Sequence, residues 1–162
     1  MNSICRAILL VYFVTHIPIT IFVDLQSLFN ELYPELYPEF LKNFVRDNYH
    51  NQYGDYLMLS PPVWLKALLA FEILQIPFYF AAIYALIFQK NWIRIPAIIY
   101  GSHVTTAVTL LLTELCSSDK ITGGQRIILC SFYLPYLIIP LYLMLYMTFV
   151  PKPFLKKNKK IF

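Results

Sequence analysis

Two acidic residues lie in stretches of sequence that are otherwise apolar. Asp24 ends the first apolar stretch, and Glu72 lies inside the second. An ionisable side chain within a membrane-spanning helix costs about 2.5–3.5 kcal/mol on the insertion scale, and such residues usually face the interior of a helix bundle. A carboxyl group held there can pair with a cationic group or give up a proton. The two acids therefore predict a buried ligand site.

The composition favours an integral membrane protein with few spanning helices. Of the 162 residues, 59% are hydrophobic and only 14% are charged, whereas soluble domains are about 25% charged. A helix of about 20 apolar residues crosses the hydrocarbon core of a bilayer. Four stretches meet that length, and we predict helices over about 4–29, 63–88, 93–115 and 127–149.

These four helices predict an all-α membrane bundle formed by residues 1–150, with an internal ligand pocket. Residues 30–60 mix acidic and aromatic side chains, which is typical of a folded cap on the membrane surface. Prolines within the predicted helices should kink them and open space between them. They are Pro18, Pro77, Pro135 and Pro140.

The lysines and arginines predict the orientation of the chain. Five of the thirteen basic residues lie in the tail, residues 151–162, and a further group lies beside the ends of the predicted helices on the same side. Under the positive-inside rule, both termini are cytosolic and the cap lies on the opposite side. Clustered in this way, the basic residues favour a membrane-surface tail and do not suggest a nucleic-acid partner. Lys159 and Lys160 occupy the positions of a dilysine signal for retrieval to the endoplasmic reticulum.

The three cysteines form neither a disulfide framework nor a metal-binding pattern. Cys116 and Cys130 could face each other across one helical hairpin, so a bridge between them stays open. We expect unpaired thiols, with Cys5 as the third, packed as small apolar side chains.

Each predicted helix carries one polar face. Residues at spacings of three and four lie on the same side of a helix, and polar side chains that avoid lipid turn toward the bundle interior. The four faces should therefore line one cavity. They are His16, Thr20 and Asp24; Glu72, Gln75 and Tyr79; His103 and Thr106; and Tyr133 and Tyr136.

Two carboxyl groups facing one dry cavity are not expected to be ionised together. Our hypothesis is that Glu72 stays protonated and donates a hydrogen bond to ionised Asp24, which then pairs with the amine of a ligand. Tyr136 would pack against the apolar part of that ligand. Asp24 could instead face water at its helix end. We expect His16 to be a helix-capping or structural hydrogen-bonding residue, and Asp55 to order the cap through hydrogen bonds.

Several stretches, spread in order over nearly the whole chain, carry a family resemblance. They resemble the sigma-2 receptor family, a branch of the EXPERA-domain proteins that also include the emopamil-binding sterol isomerase. The matching stretches are residues 16–26 (HIPITIFVDLQ), 31–34 (ELYP), Asp55 followed by 61–66 (PPVWLK), 92–100 (WIRIPAIIY) and 133–140 (YLPYLIIP).

The resemblance implies a four-helix fold in the endoplasmic reticulum membrane, with a lipid-facing pocket for sterols and cationic drugs. It places the amine-binding aspartate at Asp24, its partner glutamate at Glu72, the aspartate needed for integrity at Asp55 and the pocket tyrosine at Tyr136. Sterol contacts on the second helix fall near Leu74 and Gln75. Gln75 follows Glu72 by three residues where the family has four, so Ile73 or Leu74 could make the apolar contact. A homodimer is implied in the same way.

Three functions are consistent with these residues. The leading one is a non-enzymatic, cofactor-free membrane protein that binds sterols or oxysterols and cationic amphiphiles, with membrane lipid and sterol-transport proteins as partners. The second is a sterol double-bond isomerase, in which Glu72 would act with His16 or His103 as the acid–base pair. The third is a quality-control factor for membrane or mistargeted proteins.

Overall fold

The computed structural model describes residues 1–154, which are helical and contain no strand. Four helical segments are long and apolar enough to cross a membrane: Ser3–Asn30, Val63–Ile87, Asn91–Ser117 and Gly123–Phe149. The predicted all-α, four-helix membrane fold is confirmed. The helices in chain order are α1 (Ser3–Ile19), α2 (Leu25–Leu32), α3 (Glu39–Val45), α4 (Asn51–Tyr53), α5 (Tyr56–Leu59), α6 (Val63–Ile87), α7 (Arg94–Ser117) and α8 (Gly123–Phe149).

The last spanning helix begins four residues before its predicted start at residue 127. Thr122 caps α8: its hydroxyl accepts a hydrogen bond from the Gln125 backbone N–H, and the Gln125 side chain accepts one from the Thr122 backbone N–H. This reciprocal capping box satisfies two N–H groups at the helix start. Because the first turn of α8 is polar, a prediction based only on the apolar stretch places the start of the helix too late.

The spanning helices pack as two pairs, α1 with α6 and α7 with α8. In the second pair, Gly101 of α7 lies against the backbone of α8. A Cβ atom at Gly101 would stand 2.7 Å from the Pro140 carbonyl oxygen and 2.8 Å from the Met144 Cβ. Small residues at such crossings let two membrane helices approach closely. Gly101 therefore sets the separation of α7 and α8.

Gly101→Ala should destabilise the bundle, because neither the Pro140 carbonyl nor the Met144 Cβ can move without shifting the backbone. Forcing a methyl group into a packed contact costs about 1–3 kcal/mol. Thermal unfolding in detergent should show a lower midpoint. Gly124→Ala is the matched control, since a Cβ there has nothing within 4 Å. Equal midpoints for the two variants would contradict this account of the crossing.

The chain ends come together at one end of the bundle. The amino group of Met1 donates to the carbonyl of Pro153, and the Asn91 side chain exchanges two hydrogen bonds with the backbone of Phe154. The N-terminus, the turn between α6 and α7 and the segment after α8 therefore share one side, as predicted. The proposed retrieval lysines, Lys159 and Lys160, lie outside the described residues.

The segment between the first two spans folds over the opposite end of the bundle, with α3, α4 and α5 in it. Its side chains contact both the first spanning segment and α8: Tyr37 donates a 2.7 Å hydrogen bond to the Ile21 carbonyl, and the Tyr53 ring meets the Phe132 ring edge-on at 5.0 Å. Gly54 adopts the left-handed conformation that ends α4 and lies against the Gln125 side chain. The segment is a docked cap.

Candidate functional site

One cavity lies among the four spanning segments and beneath the cap. Its empty space is about 670 Å³, counting the open space at its mouth. Nine of the described lining residues are apolar, chiefly leucine and valine, and seven carry a polar or ionisable group. The lining residues are His16, Ile19, Asp24, Met58, Leu65, Leu68, Leu69, Glu72, Gln75, His103, Val104, Ala107, Val108, Leu111, Tyr133 and Tyr136.

A π-helical turn over Thr20–Asp24 carries Asp24 to the cavity. Pro18 lies just before it and has no backbone N–H to donate, and the Leu25 N–H bonds the Thr20 carbonyl five residues back. Four residues of an α-helix rotate the chain slightly past one full turn, whereas four residues of the wider π turn rotate it slightly less. The two deviations offset each other, so Asp24 stays on the same face as His16.

Asp24 and Glu72 both line the cavity, but no hydrogen bond joins them among the described residues. The Glu72 Oε2 is buried without a hydrogen-bond partner. The direct bond that we expected between the two carboxyl groups is therefore not formed. Among the described residues, no lysine or arginine lines the cavity. A cationic group entering the cavity would be the counter-charge that the lining itself lacks.

His16 lies at the junction of the cavity and an aromatic cluster. Its ring centroid is 4.9 Å from that of Tyr79, 5.0 Å from that of Tyr136 and 5.1 Å from that of Tyr12. Its Nδ1 is buried and has no hydrogen-bond partner in the described chain. His16 is thus held by ring packing, and the hydrogen-bonding role expected for it is not seen at Nδ1. Tyr136 lies between this cluster and the cavity.

Asp55 joins the cap to α8. Its side chain is completely buried (0% exposed) and accepts hydrogen bonds from the Tyr49 hydroxyl at 2.9 Å and the Tyr133 hydroxyl at 2.5 Å. It also accepts one from the Met58 N–H at 3.1 Å, which caps α5. Burial and the negative charge of Asp55 raise the pKa of Tyr49, so its hydroxyl stays protonated and can donate. These contacts are those of a residue that orders the cap.

Two residues proposed for the pocket lie outside it. Leu74 is 68% exposed on the outer surface of α6, since it follows Glu72 by two residues and two residues rotate a helix to the opposite side. Ile73 is also exposed. Thr106 is exposed on α7, and its hydroxyl donates a hydrogen bond to the Ser102 carbonyl one turn back. The hydroxyl therefore has a partner within its own helix even where the side chain faces lipid. Gln75, Tyr133 and Tyr136 do line the cavity.

Most residues of the apolar wall were not predicted from the sequence. Its residues follow the same helical stripes as the polar ones: Leu65 and Leu69 precede Glu72 by seven and three residues, and Ala107 and Leu111 follow His103 by four and eight. Extending each polar stripe at helical spacing would have found them. Tyr49 was also missed, because its pairing with Asp55 and Tyr133 depends on how the cap folds.

Comparison with known proteins places the chain in a family. The family model for EXPERA, the expanded EBP superfamily, matches residues 40–147. The chain belongs to the EXPERA family. That match covers the cap from residue 40 onward and nearly all of the last three spanning helices, and the cavity residues from Met58 to Tyr136 lie within it.

Curated relatives of this EXPERA protein extend the match to α1. The chain is 42% identical over 153 residues to sigma intracellular receptor 2 of Xenopus tropicalis, covering 87% of this chain and 86% of the relative. It is 37% identical over 163 residues to the Homo sapiens protein of that name, with 92% and 89% covered. The predicted resemblance is confirmed, and the chain is a sigma-2-receptor-like membrane protein.

A more distant relative carries a different name. The chain is 31% identical over 139 residues to efficient mitochondria targeting-associated protein 19 of Schizosaccharomyces pombe, covering 82% of this chain and 68% of the relative. Relatives of this chain therefore carry names that describe different roles.

Proposed function

We propose that the protein is a non-enzymatic, receptor-like protein of the endoplasmic reticulum membrane. In this proposal it binds sterols or oxysterols and cationic amphiphiles in the cavity and thereby affects sterol handling. The observation that carries the proposal is a cavity whose described lining residues combine an apolar wall with two carboxyl groups and include no lysine or arginine. The names of the relatives at 37–42% identity support a receptor-like role.

The chemistry of the lining matches both ligand classes. An apolar wall built from α6 and α7 would take the rigid hydrocarbon of a sterol, and burial of that surface drives binding. Asp24 lines the cavity, where it would pair with a protonated amine. Gln75 and the unpartnered Oε2 of Glu72 would hydrogen-bond a hydroxyl group. A ligand with one polar end and an apolar body therefore fits the site.

The cellular setting is part of the same proposal. The clustered tail lysines support cytosolic termini, and Lys159 and Lys160 support retrieval to the endoplasmic reticulum. The cap would then face the lumen. A homodimer and sterol-transport partners follow from the resemblance to the sigma-2 receptor family.

Ala107→Phe tests whether the cavity is the ligand site. Ala107 lines the cavity, and a phenyl ring there would fill part of the space. Binding of a radiolabelled sterol and of a cationic amphiphile to purified protein should fall at least tenfold for both ligands. Ala70→Phe is the matched control, because Ala70 lies exposed on the outer side of α6. If the Ala107 variant is folded and binds both ligands normally, the cavity is not their site.

A sterol double-bond isomerase is the second candidate, favoured by the presence of Glu72, His16 and His103 around one cavity. The reaction needs an acid to protonate the alkene and a base to take a proton from a neighbouring carbon. Purified protein should then move the double bond of an unsaturated sterol to a neighbouring position in the sterol. A product formed by the wild type and not by Glu72→Gln would favour this candidate over binding alone.

A targeting or quality-control role is supported by the name of the fission yeast relative. In that case client membrane proteins should co-purify with this protein, and cavity variants such as Ala107→Phe should not alter their recovery. Recovery that depends on the cavity would instead make the ligand a regulator of such clients.

A further inference from the structure

Two cysteines face each other at the cap end of the α7–α8 hairpin. Cys116 is the second-last residue of α7, and Cys130 lies two turns into α8. Their sulfur atoms are 3.8 Å apart. A disulfide bond is about 2 Å long, so rotation of the two side chains has to close less than 2 Å. The backbone already brings the thiols within reach.

Arg126 holds the two helix ends in this register. From α8 its Nε donates to the Leu115 carbonyl at 3.2 Å, and its Nη2 donates to the Ser118 carbonyl at 2.7 Å. Arg126 thereby provides hydrogen-bond donors to carbonyl groups that the end of α7 leaves without a helical partner. The hairpin is therefore fixed on either side of Cys116, and the spacing of the thiols follows from that packing.

The pair is accessible from outside the bundle. Cys116 is exposed and Cys130 is half-buried. A surface hollow of about 520 Å³ lies beside Cys116, between α7 and Leu137 of α8. Both thiols lie at the end of the bundle opposite the chain termini, which is the lumenal side in the orientation proposed above.

We propose that Cys116 and Cys130 form a reversible intramolecular disulfide, which makes this hairpin a redox modification site. The inference rests on the proposed orientation and location, because the oxidising lumen supplies the oxidant. The co-reactant is a disulfide-bearing oxidant such as oxidised glutathione or an oxidoreductase of the lumen.

The exchange proceeds in two steps. The thiolate of Cys116, the more exposed residue, attacks one sulfur of the oxidant; a mixed disulfide forms and one oxidant thiolate leaves. The thiolate of Cys130 then attacks the Cys116 sulfur, which releases the second oxidant thiolate. The two protein thiols lose two electrons and two protons, and the oxidant disulfide becomes two thiols.

The disulfide would join α7 to α8 close to the cavity wall. Tyr133, which lines the cavity and donates to Asp55, follows Cys130 by three residues on the same side of α8. The bond also closes the turn between the two helices, and such a link raises stability by restricting the unfolded chain. For a chain of this size we expect an unfolding midpoint higher by about 5–10 °C in the oxidised protein.

The test counts free thiols in the full-length protein. Membranes are quenched with N-ethylmaleimide, and the protein is denatured in its presence. One half is then reduced and alkylated a second time, and both halves are analysed by mass spectrometry. We expect one alkylated cysteine, Cys5, before reduction and three after it. Cys5→Ser should show none before reduction, and Cys116→Ser or Cys130→Ser should each show two. The unfolding midpoint of the Cys116→Ser/Cys130→Ser variant should not change with reductant.

Three alkylated cysteines in the wild-type protein without reduction would overturn the proposal. So would a disulfide between two copies, seen as a dimer on a non-reducing gel that Cys116→Ser abolishes. Labelling of Cys116 from the cytosolic side by an impermeant maleimide in sealed vesicles would refute the orientation as well. The proposed ligand function is judged separately, by sterol and amphiphile binding. Failure of the disulfide and failure of the binding site are therefore distinguishable.

Discussion

Asp24→Asn should abolish high-affinity binding of a cationic amphiphile and leave binding of a neutral sterol nearly unchanged. Asp24 is the carboxyl group that the π turn after α1 presents to the cavity, and no lysine or arginine among the described lining residues competes with a ligand amine for it. Removing one partner of a buried, hydrogen-bonded charge pair costs about 2–5 kcal/mol. At 1.4 kcal/mol per factor of ten, the affinity for the amine should fall about 30-fold or more.

The controls separate a local charge effect from a change of fold. Asp47→Asn removes an acid that is exposed on the cap, where it pairs with Arg46 at 3.2 Å and accepts a hydrogen bond from the Asn51 side chain, so amine binding should be unaffected. Glu72→Gln should also weaken amine binding, because the second carboxyl group faces the same cavity. Unchanged amine affinity in a folded Asp24→Asn protein would assign the two acids a structural role and move the search to the cap.

The residues that the sequence places correctly are those whose position depends on helical periodicity alone. Asp24, Glu72, Gln75 and Tyr136 reach the cavity because apolar composition sets the four spans and a spacing of three or four sets the face. The same rule explains the errors. Leu74 was assigned by resemblance, and its two-residue offset from Glu72 turns it toward the outside of the bundle.

Features that depend on long-range packing could not be predicted from periodicity. In the π turn that ends at Asp24, a backbone N–H bonds the carbonyl five residues back in place of the usual four. The pattern of apolar residues does not encode that difference. The contact of Asp55 with Tyr133 joins residues 78 positions apart. The error at Thr106 has a local cause. Thr106 was placed on the polar face of α7, but its hydroxyl bonds a carbonyl of its own helix and the side chain turns outward.

The second large effect is expected for Asp55→Ala. This change removes the acceptor of three hydrogen bonds at a fully buried position and leaves the Tyr49 and Tyr133 hydroxyls without that partner. A hydrogen bond to a charged group contributes about 1.5–3 kcal/mol, and loss of a helix N-cap costs about 0.5–2 kcal/mol. We therefore expect a loss of at least about 3 kcal/mol, seen as a much lower thermal midpoint in detergent. Asp119→Ala, at an exposed acid between α7 and α8, should leave the midpoint unchanged.

Asp55→Ala should also weaken ligand binding, by a route different from that of Asp24→Asn. The helix that Asp55 caps carries Met58 into the cavity wall, so release of the cap opens the cavity on that side. Sterol and amine should therefore lose affinity together, whereas Asp24→Asn affects the amine alone. Tyr133→Phe removes one of the three bonds and should fall between Asp55→Ala and wild type in stability. A normal midpoint in Asp55→Ala would mean that the cap is held by its aromatic contacts, chiefly Tyr53 against Phe132, and not by the buried carboxylate.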